Sequence, residues 1–193
     1  MANGGNEWLE LLKQRGVLKE GHFLLTSGKH SARYLQCAQL FQQPQDAERV
    51  GRAMAHPFRD QQVDVVVGPA RGGVIAAHEV ARALDCRAIF TERENGRMTL
   101  RRGFRIGAGE RVVVVEDVVT TGGSVKEVLA VVEDYGAEVV GIASVVNRHT
   151  IGSPFSYPFH PLLSLHIETY EPSACPLCAS GAEPATKPGS RKV

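Results

Sequence analysis

The chain has 193 residues, 43% of them hydrophobic and 22% charged, with a formal net charge of +1. That is enough for one domain with a real core, and the charge balance gives no case for nucleic-acid binding. No apolar run approaches the roughly 20 residues that span a bilayer, and Met1 to Glu7 lack a signal-peptide core, so a soluble cytoplasmic protein is expected.

Residues 6–15 read as an amphipathic helix with Asn6 as cap and Gly16 as stop. Gly21–His30 and Tyr34–Gln36 suggest short strands around a turn, and Pro44–Phe58 a second helix. Val63–Val67 is a buried strand, followed by the glycine-rich turn Gly68–Gly73 and the helical Val74–Leu84. Arg87–Thr91 is the next strand, and then comes a segment, Arg93–Arg105, with five arginines, bent at Asn95-Gly96. Val112–Val115 reads as a strand buried on both faces, as in a parallel sheet. Glu116 and Asp117 fall where that strand is expected to end, and Thr120–Ser124 leads into a helix over 125–134. Ala137–Val146 and Leu162–Ile167 complete the strands. Strands alternating with helices predict an α/β fold with a doubly wound, mostly parallel sheet. From 172 the composition shifts to Pro, Gly, Ser and Cys, which divides the chain into a single domain over 1–171 and an extended tail over 172–193.

The four cysteines stand at 37, 86, 175 and 178. Cys37 and Cys86 read as reduced packing residues. Cys175 and Cys178 have the spacing of a metal knuckle, but one such pair supplies only two ligands. A structural zinc would need another pair, for instance from a second subunit, and a surface turn is the favoured reading.

The chemistry concentrates at residues 116–124. A Gly-rich turn opening a helix presents unpaired N–H groups and the positive end of the helix dipole, which suits a phosphate. Two adjacent carboxylates would repel that phosphate unless they bind something else, such as sugar hydroxyls. Together they point to a phosphorylated sugar. Gly68–Gly73 is a second such turn, and in a parallel sheet it would lie at the same carboxyl edge. No GxxxxGK[ST] motif, dinucleotide fingerprint, Gly-x-Ser-x-Gly or His-Glu-x-x-His is present.

The string from Arg111 to Ser124 resembles the diphosphoribosyl-binding signature of the type I phosphoribosyltransferases. Phe23–Ser31 resembles the N-terminal turn of the orotate phosphoribosyltransferases, and with Arg148 the likeness extends from about Gly21 to Arg148. The resemblance implies that family's fold, with a small N-terminal hood and a mobile loop. It implies transfer of phosphoribose from 5-phosphoribosyl 1-diphosphate to orotate, giving orotidine 5′-phosphate and diphosphate in de novo pyrimidine biosynthesis. Glu116, Asp117, Val118, Val119, Thr120, Thr121, Gly122, Gly123 and Ser124 would hold the donor, joined by Arg71, Arg93 and Arg97. Thr120 and Arg148 would hold orotate; a guanidinium grips a carboxylate by two parallel hydrogen bonds, whereas Arg148 without that context reads as a surface ion pair. Asp117 and Arg97 would be the catalytic pair. The resemblance also implies Mg²⁺ carried by the diphosphate without direct protein ligands, and a homodimer whose arginine loop serves the partner's site.

Three features depart from the family. Its best-known members use lysines and a histidine in the loop, whereas no lysine occurs here between Lys29 and Lys126; Arg71-Gly72 follows Pro69-Ala70 where an aromatic residue and a lysine are frequent; and Thr26 replaces a frequent basic residue. Arginine neutralises a departing diphosphate but is a poor proton donor, so electrostatic stabilisation is expected rather than general-acid help. Transfer to a purine or to uracil, and a non-catalytic nucleotide-binding regulator with the same fold, are the alternatives.

Overall fold

The computed structural model describes residues 4–25, 27–149 and 152–188, with the side chains of 4–6 excepted. Thr26 therefore lies outside the described residues. Helix α1 (Gly4–Gln14) already runs at Gly4, so Asn6 sits in its first turn rather than at its cap. Gly16, at φ 63°, ends it as expected, and Val17 N–H returns to Leu12 O at 2.8 Å. Strands β1 (Leu18–Leu24) and β2 (His30–Leu35) pair antiparallel as a separate two-stranded hood. A 3-10 segment, Cys37–Gln42, follows and buries Cys37, Leu40 and Phe41.

Helix α2 (Pro44–Ala55) stops where Pro57 forbids its continuation, and a 3-10 turn over His56–Phe58 sends Phe58 into the core. The remaining elements are β3 (Val65–Pro69), α3 (Gly72–Leu84), β4 (Arg87–Glu94), β5 (Arg97–Leu100), β6 (Arg111–Val119), α4 (Gly123–Asp134), β7 (Glu138–Asn147), β8 (Phe159–Ser164) and the single turn α5 (Pro176–Ala179). The expected last strand is thus placed three residues earlier, and β4 runs three residues further, into a hairpin with β5.

The large sheet has the order β5-β4-β3-β6-β7-β8, parallel except for β5 at its edge. Alternation along the valine strands decides which helix covers which face. Val66, Val113 and Val115 pack with α3 (Ala76, Ala77, Val80, Ala81) and α2 (Val50, Met54). Val65, Val67, Val112 and Val114 pack with α4 (Val125, Val128, Leu129, Val132) on the other side. The sheet is therefore doubly wound. From β3 the chain crosses to β4 in one direction, and from β6 to β7 in the other. The carboxyl ends of the adjacent strands β3 and β6 form the switch point where ligands bind in such sheets.

Residues 172–188 are not simply extended. They form a 3-10 turn over Pro172–Ala174 and then α5, and they bridge back to the hood through Thr186 and Phe23. Among the described residues no helix is long and apolar enough to cross a membrane.

Candidate active site

Both glycine-rich turns open at the switch point. The Gly68–Gly73 turn closes so tightly that a Cβ on Gly68 would stand 2.4 Å from Gly73 O. The peptide bond between Ala70 and Arg71 is cis, and Arg71 is exposed just ahead of α3. The turn after β6 leaves Thr120, Thr121, Gly123 and Ser124 exposed, and α4 begins at Gly123 rather than Val125. Its first amides therefore belong to the signature loop itself, a helix start of the kind that suits an anion.

The acid pair does not end β6, which continues to Val119. Glu116 is 8% exposed. Burial, and then the neighbouring Asp117 charge, hold its carboxyl well above the usual carboxylate range. Asp117 is half-buried, accepts the Val118 N–H at 2.7 Å and lies against the start of α3. A Cβ on Gly72 would stand 2.7 Å from both of its carboxylate oxygens. Only glycine lets the positive end of α3 approach that charge so closely. Cys37 is buried near the pair, and its thiol is pushed up by burial and by the charges of Asp117 and Glu116. It stays a neutral packing residue, as its apolar segment suggested.

Val118 and Val119 cannot offer side chains to a donor. Val118 packs against the core beneath α3, and Val119 lies in the core beneath α4. Extending β6 past the acids turned both inward, and the Val119 carbonyl already accepts the Arg148 N–H at 2.7 Å.

A cleft of about 1080 Å³ opens beside the signature loop. Thr120, Thr121 and Arg148 line it from the sheet edge, Leu24, Leu25 and Tyr34 from the hood, and His166 to Tyr170 and Lys187 from the C-terminal stretch. Arg148 is half-buried, and its Nε is buried without a hydrogen-bond partner among the described residues. Burial draws its guanidinium down from its ordinary value while the nearby Tyr34 works the other way. An arginine stays protonated through such a shift, so a cation lines a cleft of ligand size.

The arginine segment is an ordered hairpin. Asn95 (φ 51°) and Gly96 (φ 82°) make the expected two-residue turn between β4 and β5. Most of its charge is already answered within the chain: Arg93 pairs with Glu127 of α4 at 2.7 Å, Arg101 with Glu94 at 3.2 Å, and Arg102 with Glu92 at 2.7 Å. The structure thus joins Arg93 to α4. Arg97 is exposed, with no ion pair among the described residues. Arg71, Arg93, Arg97, Glu116 and Asp117 all lie outside the lining of the cleft.

Residues 36–163 match the model of the phosphoribosyl transferase domain. The chain belongs to the phosphoribosyltransferase family. It is 55% identical over 186 residues to the orotate phosphoribosyltransferase of Caldicellulosiruptor saccharolyticus, covering 96% of this chain and 97% of that one. Among solved structures, this phosphoribosyltransferase resembles the orotate phosphoribosyltransferase of Aeropyrum pernix with a TM-score of 0.67 and 25% identity, over 81% of this chain and 92% of the other. It also superposes on Leishmania donovani UMP synthase with a TM-score of 0.71 and 25% identity, over 86% of its own length but 37% of that longer chain.

Sequence reasoning missed Tyr34, His166, Tyr170 and Lys187 as cleft residues. Their only signal was negative, since each stands in a segment without a glycine-rich turn or paired acids. What unites them is the approach of the hood and the C-terminal stretch, sealed by the reciprocal amide bonds of His30 and Tyr170, both 2.8 Å.

Proposed function

We propose that this phosphoribosyltransferase joins orotate to 5-phosphoribosyl 1-diphosphate, releasing diphosphate and forming orotidine 5′-phosphate in de novo pyrimidine biosynthesis. The observation that carries the substrate assignment is Arg148, a half-buried cation that lines the cleft beside Thr120 and whose Nε has no hydrogen-bond partner among the described residues. Orotate carries a carboxylate that such a group grips, and a plain purine or uracil does not. The name carried by the Caldicellulosiruptor relative supports the same reading.

The amides and hydroxyls of Thr120 to Ser124 hold the donor's 5′-phosphate, the α3 turn with Arg71 receives the diphosphate, and Glu116 and Asp117 face the ribose hydroxyls. This donor set fits a divalent cation, because the acid pair gathers hard oxygens near one strand end, where burial first and then the Asp117 charge burden Glu116. Glu116 and Asp117 would hold Mg²⁺ through the ribose hydroxyls, and the ion would supply positive charge that favours departure of the diphosphate. Displacement at the anomeric carbon then needs little covalent help: the residues align the orotate ring nitrogen with that carbon and keep water from hydrolysing the donor.

Arg97 supplies positive charge to the departing diphosphate, and the partner subunit's site is where it acts, because the hairpin carrying it lies at the edge of its own sheet. The working unit is a homodimer in the cytoplasm. Mixing inactive Arg97→Ala with inactive Asp117→Asn subunits should return about a quarter of wild-type activity, since half of randomly formed dimers hold one intact composite site. Activity no higher than the average of the two variants, with exchange verified, would place Arg97 over its own site.

The function is tested by assaying turnover with orotate, uracil, hypoxanthine and adenine at saturating donor and Mg²⁺. Orotate should be strongly preferred; preference for any other base would overturn the proposal.

A further inference from the structure

The two cysteines that lacked partners in the sequence find them within the same chain. Cys175 and Cys178 of the C-terminal stretch meet His22 of β1 and His30 of β2, with the four candidate ligand atoms all within 4.8 Å of one another. The Cys175 Sγ to His22 Nε2 distance is 3.5 Å, Cys178 Sγ to His22 Nε2 is 3.7 Å, and Cys178 Sγ to His30 Nδ1 is 3.4 Å. With Zn–N of about 2.0–2.1 Å and Zn–S of about 2.3 Å, a tetrahedral centre sets N···S separations of about 3.5 Å. The His22 Nε2 to His30 Nδ1 distance, 2.9 Å, is somewhat shorter than a tetrahedral edge and asks for a small outward movement of one ring.

A second feature points to a metal independently of the spacing. His22 Nδ1 lies 2.8 Å from the Glu183 carbonyl, which can only accept, so Nδ1 carries the proton and Nε2 presents its lone pair to the cluster. Metal-bound histidines are held by such outer hydrogen bonds, which fix the tautomer and the ring plane. The four groups also come from three separate segments, with Cys175 capping and Cys178 lying within the single turn α5 that begins at Pro176.

We propose that His22, His30, Cys175 and Cys178 form a structural Zn²⁺ site that clamps the C-terminal stretch onto the hood. Two thiolates and two imidazoles neutralise the dication without strain on the net charge, and a closed set of four protein ligands leaves no position for substrate. Binding converts two thiols to thiolates and releases their protons to solvent. The consequence reaches the cleft. The same stretch is stitched to β1 by Leu24 N–H to Thr186 O (2.8 Å) and Thr186 N–H to His22 O (2.9 Å), and the next residue, Lys187, lines the cleft opposite the sheet edge. The metal therefore fixes one wall of the cleft while standing outside the transfer chemistry.

The test uses the untagged full chain with reduced thiols. It should bind about one Zn²⁺ per chain and keep it in excess Mg²⁺, because a hard oxygen-seeking cation does not compete for thiolate and imidazole. Co²⁺ added to the stripped chain should give the intense visible bands of a tetrahedral ion together with sulfur-to-cobalt charge transfer. Zn²⁺ at about a thousandfold over its dissociation constant should raise the Tm by about 10 °C. Cys178→Ser alters an exposed ligand and should abolish the charge-transfer band and most of the Tm rise; His30→Gln should do the same without removing a thiol. The proposal is overturned if the wild-type chain binds no stoichiometric Zn²⁺ and its Tm ignores the metal, or if both variants bind Zn²⁺ as the wild type does.

Discussion

The two halves of the proposed site are built by different rules. The proposed donor half comes from two strand-to-helix turns, β3 to α3 and β6 to α4, each contiguous in sequence and only a few residues long. The proposed acceptor half is the cleft beside them, gathered from Leu24, Tyr34, Arg148, Tyr170 and Lys187, which are scattered over most of the chain. Local backbone geometry dictates the first, since a helix start after a glycine turn presents amides whatever surrounds it. The second exists only when the hood, the sheet edge and the C-terminal stretch come together. A contiguous half should fail through its turn, and a scattered half should fail through single contacts.

The strongest test of that contrast is Gly68→Ala. The added carbon would stand 2.4 Å from Gly73 O, backbone that cannot yield without moving the start of α3. A loss of about 3 kcal/mol in unfolding free energy is expected, read by denaturant titration. A loss below about 1 kcal/mol would show that the donor turn is less tightly specified than its geometry implies.

Asp117→Asn comes next and separates chemistry from folding. Removing the charge should depress turnover at least tenfold, roughly 1.4 kcal/mol of transition-state stabilisation, while the Tm stays near wild type because the group is only half-buried. Unchanged turnover at saturating Mg²⁺ would make the acid pair merely structural.

Glu116→Gln should give the smallest effect, visible in pH dependence. The folded chain holds the Glu116 carboxyl above its ordinary value. Between the unfolded and the folded pKa the native state therefore binds more protons than the unfolded one, and stability falls as pH rises through that window. The glutamine variant removes this loss, so its Tm should decline less than that of the wild type as pH rises above the ordinary carboxylate range. Identical Tm profiles would show that the buried carboxyl costs the fold nothing.

Much of this molecule is legible in the residues because valine runs and glycine turns act over short distances. The Val112–Val115 strand, the helix after the signature turn, the Asn95-Gly96 bend and the parallel order all follow from local pattern. Other features depended on tertiary packing. β6 continues past its carboxylates because neighbouring β7 pairs with it as far as Val119 and Asn147, which no propensity of Glu116 or Asp117 reveals. The arginine segment reads as a cationic loop, but Glu92, Glu94 and Glu127 answer most of its charge, one of them from a helix some 30 residues away in sequence. The tail reads as extended from its Pro, Gly and Ser content, yet it docks because the outer edge of β1 at His22 to Leu24 takes up the backbone of Thr186.

The central claim is that Arg148 reads the carboxylate of orotate, and the most direct measurement compares orotate with uracil, which lacks that carboxylate. The ratio of kcat/KM for the two bases should fall at least tenfold in Arg148→Ala, in line with about 1.5–3 kcal/mol for a charge-assisted hydrogen bond, while the KM for 5-phosphoribosyl 1-diphosphate changes little. A ratio unchanged by the substitution, or equal losses for base and donor, would contradict the account and leave Arg148 a support of the fold.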